Sequence, residues 1–419
     1  MSETSAAPGT GALQRRLGLF DAVVIGLGSM LGAGIFAALA PAAAAAGSGL
    51  LPGLALAAVV AYCNATSSAR LAAQYPASGG TYVYGRERLG AFWGYLAGWG
   101  FVVGKTASCA AMALTVGAYA WPQHAHTVAV AAVIALTAVN YAGIQKSAWL
   151  TRAIVATVLA VLTAVVAACL ASASADLTQL EVGTDATTGG VLQAAGLLFF
   201  AFAGYARIAT LGEEIRDPAR TIPRAIGLAL GIALTLYVLV AVAVLAVLGN
   251  RLGTTAAPLA GAVRAAGWTT LTPVVRIGAT IAALGSLLAL ILGVSRTTLA
   301  MARDRHLPRA LAAVHPRFGV PHRAELAVGA IVALVAATAD VRAAIGFSSF
   351  AVLVYYAVAN ASAWTLTSAE GRPPRVVPVA GLAGCLVLAG ALPLRSVLAG
   401  VAVLTAGALL YAMHRSRSA

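Results

Sequence analysis

Long apolar runs recur along the whole chain, with short polar segments between them. A helix needs about 20 apolar residues to cross the hydrocarbon core of a bilayer, and we interpret twelve of the runs as such spans. Spans 1 to 12 lie near residues 17–46, 50–73, 89–121, 125–142, 149–172, 191–214, 224–248, 271–301, 324–339, 343–367, 376–393 and 395–413. The pattern predicts an all-α integral membrane protein with twelve transmembrane helices.

The basic excess of the chain follows its predicted topology. A net charge of +14 is compatible with nucleic-acid binding, but most Arg and Lys residues fall on one side of the membrane. When the N-terminus is placed in the cytoplasm, five basic residues fall outside: Arg251, Arg264, Arg276, Arg342 and Arg395. This bias is the positive-inside rule. It predicts a multi-pass plasma-membrane protein that contacts lipid, has both termini in the cytoplasm and binds no nucleic acid.

The spans divide into two sets of five, followed by two more. We predict a cytoplasmic tail at 1–16, a first five-helix set at 17–172, an extracellular loop at 173–190, a second set at 191–367, two further helices at 368–413 and a second tail at 414–419. An odd number of helices in each set places the two sets in opposite orientations, as in the inverted repeats of transporters. Such a repeat predicts a break in the first helix of each set.

Glycines mark both expected breaks. Span 1 carries Gly26, Gly28, Gly32 and Gly34 within nine residues, and span 6 carries Gly204 at its middle. Backbone groups freed at membrane depth are tolerated where they line a cavity or bind a ligand. A half-helix offers its N-terminal amides to an anion and its unwound carbonyls to a cation, and a zwitterionic amino acid needs both. Close helix packing is the alternative role; we favour substrate binding for span 1 and packing for the glycines of span 3.

Five segments resemble, in order, the motifs of one transporter superfamily. They are GLGSMLGAGIF (26–36), QYPASGGTYVYGRERLG (74–90), NYAGIQKSA (140–148), FFAFAGYARIATLGEEIRDPARTIPRAI (199–226) and SRTTLAMARDRHLPRALAAVHPRFGVP (295–321). They resemble the first span, the loop after span 2, the junction of spans 4 and 5, the broken span 6 and the end of span 8 of amino acid–polyamine–organocation transporters. The resemblance implies the leucine-transporter type of fold, a 5+5 inverted repeat with two extra C-terminal helices, and amino-acid transport by alternating access.

The resemblance also implies which residues bind the substrate. Its carboxylate is expected at backbone amides of span 1: Ser29, Met30, Leu31, Gly32, Ala33 and Gly34. Its ammonium group is expected at backbone carbonyls of spans 1 and 6: Ile25, Gly26, Phe199, Phe200 and Phe202. Phe202 or Tyr205 is expected to cover the bound substrate.

Lys105 and Arg207 are basic residues inside the predicted spans, and Lys105 departs from the family pattern. Many relatives place a Lys in span 5, where this chain has Thr157 and Val158, and a Lys instead lies in the middle of span 3, at Lys105. Because a charge at membrane depth is costly, Lys105 is expected to face the bundle interior as substrate contact, proton carrier or stand-in for the absent span-5 cation. Arg207 either contacts a side-chain carboxylate of the substrate or points into the cytoplasmic vestibule.

The positions of the carboxylates indicate which charge class of substrate we expect. Asp21 begins span 1, Glu213 and Glu214 end span 6, and we assign every other carboxylate to a loop or tail. Carriers of cations usually need a counter-charge inside the membrane. We therefore predict a carrier of neutral or acidic amino acids.

The mode of coupling is expected to be proton coupling or exchange. Sodium coupling near Ile25, Thr157 and Ser286 is a further alternative. A polyamine or cationic amino acid antiporter of the same superfamily and a non-transporting sensor of the same fold remain alternatives to the carrier. Since the spans contain no catalytic grouping and no metal-ligand spacing, we expect no enzyme activity, cofactor or metal.

Overall fold

The computed structural model describes residues 17–76, 79–143 and 148–418 of the chain. The predicted tail at 1–16 and part of the junction at 140–148 lie outside the described residues. Seventeen α-helices follow one another. They are α1 (Leu19–Met30), α2 (Ala33–Ala37), α3 (Leu39–Ala46), α4 (Leu50–Gln74), α5 (Thr81–Leu89), α6 (Ala91–Ala120), α7 (Ala125–Tyr141), α8 (Ala148–Leu170), α9 (Thr188–Phe202), α10 (Ala206–Ala209), α11 (Pro218–Leu248), α12 (Pro258–Ala265), α13 (Thr272–Arg303), α14 (His322–Thr338), α15 (Val341–Trp364), α16 (Val376–Ala391) and α17 (Leu394–Ser418).

Membrane-length helices account for most of the chain, and the prediction of an all-helical membrane protein is confirmed. Among the described residues, ten helical segments are long and apolar enough to cross a membrane. Two more helices coincide with predicted spans but are shorter, namely α14 with 17 residues and α16 with 16. Within the part of the chain that the structure describes, β-type pairing is limited to one bridge, between Leu17 and Ile215.

Span 6 and span 7 differ from their predicted bounds. The helices of span 6 end at Ala209 rather than near 214, because the following residues turn and pair with the start of the first span. Leu17 donates its N–H to the carbonyl of Glu214 at 3.0 Å and accepts from the N–H of Arg216 at 2.9 Å. Span 7 begins early, at Pro218, since proline is well accommodated at the first helical position, where its missing N–H costs no intrahelical bond.

Two helices occur in segments that we interpreted as loops. The polar stretch 74–90 contains α5, and the segment before span 8 contains α12. The α5 helix contacts α6 and α15, and its side chains Tyr82 and Tyr84 are buried. The N–H of Thr81, at the start of α5, donates a hydrogen bond to the hydroxyl of Tyr355 at 3.0 Å. Tertiary contacts therefore stabilise a helix that has too few apolar residues to be predicted by periodicity.

Corresponding spans of the two sets lie against each other. The first span contacts span 6 through α1 and α2, α4 of span 2 contacts α11 of span 7, α6 of span 3 contacts α13 of span 8, and α7 of span 4 contacts α14 of span 9. The α6 helix is central, since it also packs against α7 and α15. These contacts bring the two glycine-marked segments together inside the bundle.

Candidate functional site

The first span is interrupted beside its glycines. The α1 helix ends at Met30, Gly32 has non-helical angles (φ −82°, ψ −142°), and α2 begins at Ala33. The first N–H groups of a helix have no intrahelical acceptor, so the start of α2 supplies backbone donors at this point. Met30 and Leu31 are fully buried, which places the interruption inside the bundle.

Span 6 changes its winding without a gap. The α9 helix ends at Phe202, a 3-10 turn covers Ala203–Tyr205, and α10 continues from Ala206. A 3-10 turn in the middle of a helix commonly marks a hinge or a functional segment. One glycine thus produces a milder disruption here than four glycines produce in the first span.

The two disrupted segments touch through their backbones. A Cβ atom placed on Gly204 would lie 2.6 Å from the backbone N of Met30 and in contact with the carbonyl of Ser29. One placed on Gly34 would lie 2.6 Å from the Cα of Ala201. Glycine is therefore required at both positions for the two spans to approach this closely.

Neighbouring helices also pack against the remaining glycines of the first span. A Cβ on Gly26 would lie 2.9 Å from a side-chain carbon of Ile208, one on Gly28 would lie 3.2 Å from Val155, and one on Gly32 would lie 2.7 Å from the Cβ of Ser286. Close packing therefore accounts for the small size of all four residues. Substrate binding by the backbone of this segment stays a prediction.

Lys105 points into the bundle, as predicted. Its side chain is 7% exposed, and its Nζ donates to the carbonyl of Ala203 at 3.3 Å. The Tyr356 hydroxyl lies 3.5 Å from the same carbonyl oxygen. The ammonium group of span 3 thus lies at the start of the 3-10 turn of span 6, next to Phe202, whose carbonyl is expected to bind the substrate.

Aromatic side chains enclose this turn. The ring of Phe199 lies 5.7 Å and the ring of Tyr205 5.2 Å from that of Tyr356, and the ring of Phe202 lies 5.1 Å from that of Tyr237. All five side chains are buried. The buried Tyr205 hydroxyl lies beside the Tyr356 hydroxyl but makes no hydrogen bond of ordinary geometry among the described residues.

Tyr237 connects the two disrupted spans and was missed by the sequence analysis. Its hydroxyl lies 2.6 Å from the carbonyl oxygen of Met30 and 2.9 Å from that of Ala201. A carbonyl at the end of α1 and one in α9 thereby share a single donor. In the sequence, Tyr237 lies inside an unbroken apolar run of span 7, which gives no indication of this role.

Several polar groups expected near the site have partners of their own. The carbonyl of Ile25 accepts a hydrogen bond from the Ser29 hydroxyl at 3.0 Å, and Ser286 donates to the carbonyl of Gly28 at 3.1 Å. Thr157 is exposed and donates to the carbonyl of Ala153 on its own helix. The suggested sodium-binding group is therefore wrong in including Thr157, because that side chain points away from the first span.

Arg207 interacts with a neighbouring hydroxyl and with two other charged groups. Its guanidinium is 3.5 Å from the Thr210 hydroxyl and interacts electrostatically with Arg296 and Glu214. Both roles considered for Arg207 stay predictions. The carboxylate of Asp217, beyond the end of span 6, pairs with Arg220 at 4.0 Å on the protein surface.

The assignment of all remaining carboxylates to loops and tails is wrong for Glu325. This residue is in the first turn of α14 and is fully buried, with 0% exposure. Polar neighbours such as His322 and Arg323 make the position look interfacial in the sequence. Its helix, α14, packs against α6, α7, α13 and the 3-10 turn Arg309–Ala312.

Comparison with known proteins identifies the family. The family described as amino acid permease matches residues 17–413. The chain belongs to this family. An uncharacterized transporter of Mycobacterium tuberculosis is 77% identical over 404 residues, which cover 96% of this chain and 92% of the relative.

Two more distant relatives have names that state a substrate class. The branched-chain amino acid permease BcaP of Bacillus subtilis is 27% identical over 357 residues, covering 79% of this chain and 76% of BcaP. Cationic amino acid transporter 4 of Homo sapiens is 28% identical over 390 residues, covering 87% of this chain and 61% of that protein. The resemblance seen in the motifs is confirmed, and family and relatives indicate a multi-pass membrane transporter rather than an enzyme.

Proposed function

We propose that this permease is a secondary active transporter that carries amino acids across the plasma membrane by alternating access. The observation that carries the proposal is the contact of Gly204 with the backbone of Ser29 and Met30, with Lys105 bound to the adjacent carbonyl of Ala203. Two disrupted helices meeting inside a bundle offer both amides and carbonyls to one zwitterion. The substrate head group is proposed to bind at this contact.

The architecture proposed for this function is the twelve-span fold with an inverted repeat. The pairwise contacts of spans 1 and 6, 2 and 7, 3 and 8, and 4 and 9 support it, because repeats related by a two-fold axis bring equivalent elements together. The side chains of Met30, Phe202 and Tyr205 at the two disrupted segments are fully buried. Substrate entry therefore requires one set of helices to move relative to the other, as alternating access demands.

Neutral or acidic amino acids are the proposed substrates. Lys105 already supplies a positive charge at the 3-10 turn, and this charge would repel the additional charge of a cationic substrate side chain. The aromatic and aliphatic side chains around the turn favour an apolar substrate side chain. The name of BcaP agrees with this class, whereas the name of cationic amino acid transporter 4 points to the alternative class.

A thermal-shift screen of the purified permease against the standard amino acids and common polyamines tests the substrate class. We expect Tm to rise with neutral or acidic amino acids, and the best ligand should then exchange with radiolabelled ligand in proteoliposome counterflow. Stabilisation by arginine or putrescine alone contradicts the proposed class. Stabilisation without counterflow identifies a sensor of the same fold and contradicts transport.

A further inference from the structure

Glu325 is a buried carboxyl group that the substrate site leaves unexplained. Its side chain is 0% exposed, and neither carboxylate oxygen has a hydrogen-bond partner among the residues that the structure describes. The backbone N–H of Glu325 donates to the carbonyl of Pro321 at 2.9 Å, so the residue is held firmly in the first turn of α14. A buried carboxylate without hydrogen bonds is costly, and proteins neutralise it with a proton or with an opposite charge.

Both of these solutions are available at Glu325. Arg296 of α13 acts on the carboxyl group electrostatically but forms no ion pair with it within 4.0 Å in the described part of the chain. The N-terminal turn of a helix also favours a negative charge. Burial thus favours the protonated form, while Arg296 and the helix end favour the ionised form.

Other ionisable groups lie on the elements packed on α14, and Arg323 lies on α14 itself. On α7, His126 lies 2.8 Å from the carbonyl of Ala336, and Tyr141 faces His322, their rings 6.3 Å apart. On α6, Lys105 binds the carbonyl of Ala203. The remaining groups are the exposed Arg309 of the 3-10 turn, Arg276 and Arg303 at the two ends of α13, and Tyr95, Cys109 and Tyr119 of α6. Arg296 is the charged group that interacts electrostatically with Glu325.

Arg296 connects this carboxyl group with the broken helices. It interacts electrostatically with Arg207 as well as with Glu325, and Arg207 directly follows the 3-10 turn of span 6. The same helix, α13, carries Ser286, which donates to the carbonyl of Gly28 in the first span. A small cavity of about 50 Å³ is lined by Arg296 and Asn140 among others. The α13 helix thus carries both the guanidinium that acts on Glu325 and a side chain that contacts the first span.

We propose that Glu325 binds the proton that this permease couples to amino-acid transport. In the conformation described, the carboxyl group carries the proton. When the proton leaves to the aqueous phase on one side, the resulting carboxylate pairs with Arg296, and a proton taken up from the other side breaks that pair again. One proton is bound and released in each cycle, without any other reactant. The inference rests on the proposed transport function and names its coupling ion.

Proteoliposomes separate the inference from the function on which it rests. The best ligand from the thermal-shift screen is measured in counterflow at equal pH and in accumulation driven by an imposed proton gradient. For Glu325→Gln we expect gradient-driven accumulation to fall by about tenfold or more, as the coupling is lost, while counterflow stays within about twofold. Glu325→Asp should retain accumulation, and the exposed Glu181→Gln serves as the matched control with unchanged behaviour.

The outcomes are distinguishable. Absence of counterflow in the unmodified permease contradicts the proposed function. Counterflow without any response to a proton gradient overturns the inference, and so does Glu325→Gln with full gradient-driven accumulation. If Glu325→Gln does not fold, the pH profile of counterflow by Glu325→Asp is measured, and an unshifted profile overturns the inference.

Discussion

Gly204 of span 6 lies directly against the peptide between Ser29 and Met30 of the first span. A Cβ atom at position 204 would lie 2.6 Å from the backbone N of Met30, so a glycine hydrogen fits there and a side chain does not. Because peptide backbone cannot yield as a flexible side chain does, this contact fixes how closely the two disrupted helices approach. The position of the proposed substrate site depends on it.

Gly204→Ala is expected to push the two spans apart. Overpacking of this kind costs about 1–3 kcal/mol of stability, and counterflow should fall strongly because both halves of the site move. Gly227→Ala in α11 is the matched control, since a Cβ there has open space and a helical glycine replaced by alanine gains up to about 1 kcal/mol. Equal Tm and equal counterflow for Gly204→Ala and the parent would contradict the contact.

Lys105→Met tests whether the ammonium group serves transport or folding. A buried charge replaced by an apolar side chain of similar length often leaves stability unchanged or raises it. Counterflow should nevertheless fall by about tenfold or more, because the proposed substrate site loses its positive charge beside the carbonyl of Ala203. Lys105→Arg is measured alongside it. Full counterflow in both variants would leave Lys105 a structural residue.

Tyr237→Phe removes the hydroxyl shared by the carbonyls of Met30 and Ala201. A lost hydrogen bond to buried acceptors is expected to reduce the free energy of unfolding by about 1–3 kcal/mol, and chemical denaturation in detergent measures it. Tyr62→Phe is the control, because Tyr62 is 59% exposed and its loss should change stability by less than about 0.5 kcal/mol. Equal losses in the two variants would argue against the bridge.

His306 is expected to make the end of α13 sensitive to acid. Its Nδ1 lies 3.1 Å from the Tyr82 hydroxyl, which donates to Asp304. Burial lowers the pKa of His306 below its ordinary 6.5; Asp304 opposes the shift, and His414 and Arg86 add to it. The folded state therefore binds the proton less readily than the unfolded chain, so this contribution to stability is complete above pH 6.5 and is lost as the pH falls through the lowered value.

Thermal unfolding at pH 7.5 and pH 5.5 checks the sign of this effect. The permease should lose Tm on acidification, and His306→Asn, which cannot take up a proton, should lose less. Because Glu325 also titrates in the proposed mechanism, both measurements are repeated on Glu325→Gln. A variant His306→Asn with the same loss as the parent would assign the acid sensitivity to other groups.

Hydrophobic periodicity predicted the helices well because membrane spans are long and their lipid-facing surface must be apolar. It failed for α5, which is short and polar. This helix is stabilised by the burial of Tyr82 and Tyr84 against the bundle rather than by a long apolar run. It also failed for Glu325, whose local sequence is polar. Whether a carboxylate near a helix end faces water or protein depends on which other elements cover that end.

The sequence by itself determined the family, the all-helical membrane class and the places where the first and sixth spans are disrupted. These properties are local, since they follow from runs of apolar residues and from glycines inside them. Only the tertiary structure decided that Gly204 meets Ser29 and Met30, that Lys105 binds the carbonyl of Ala203 and that Tyr237 joins the two spans. Those contacts join residues far apart in the chain, and the packing of whole helices decides which of their faces meet.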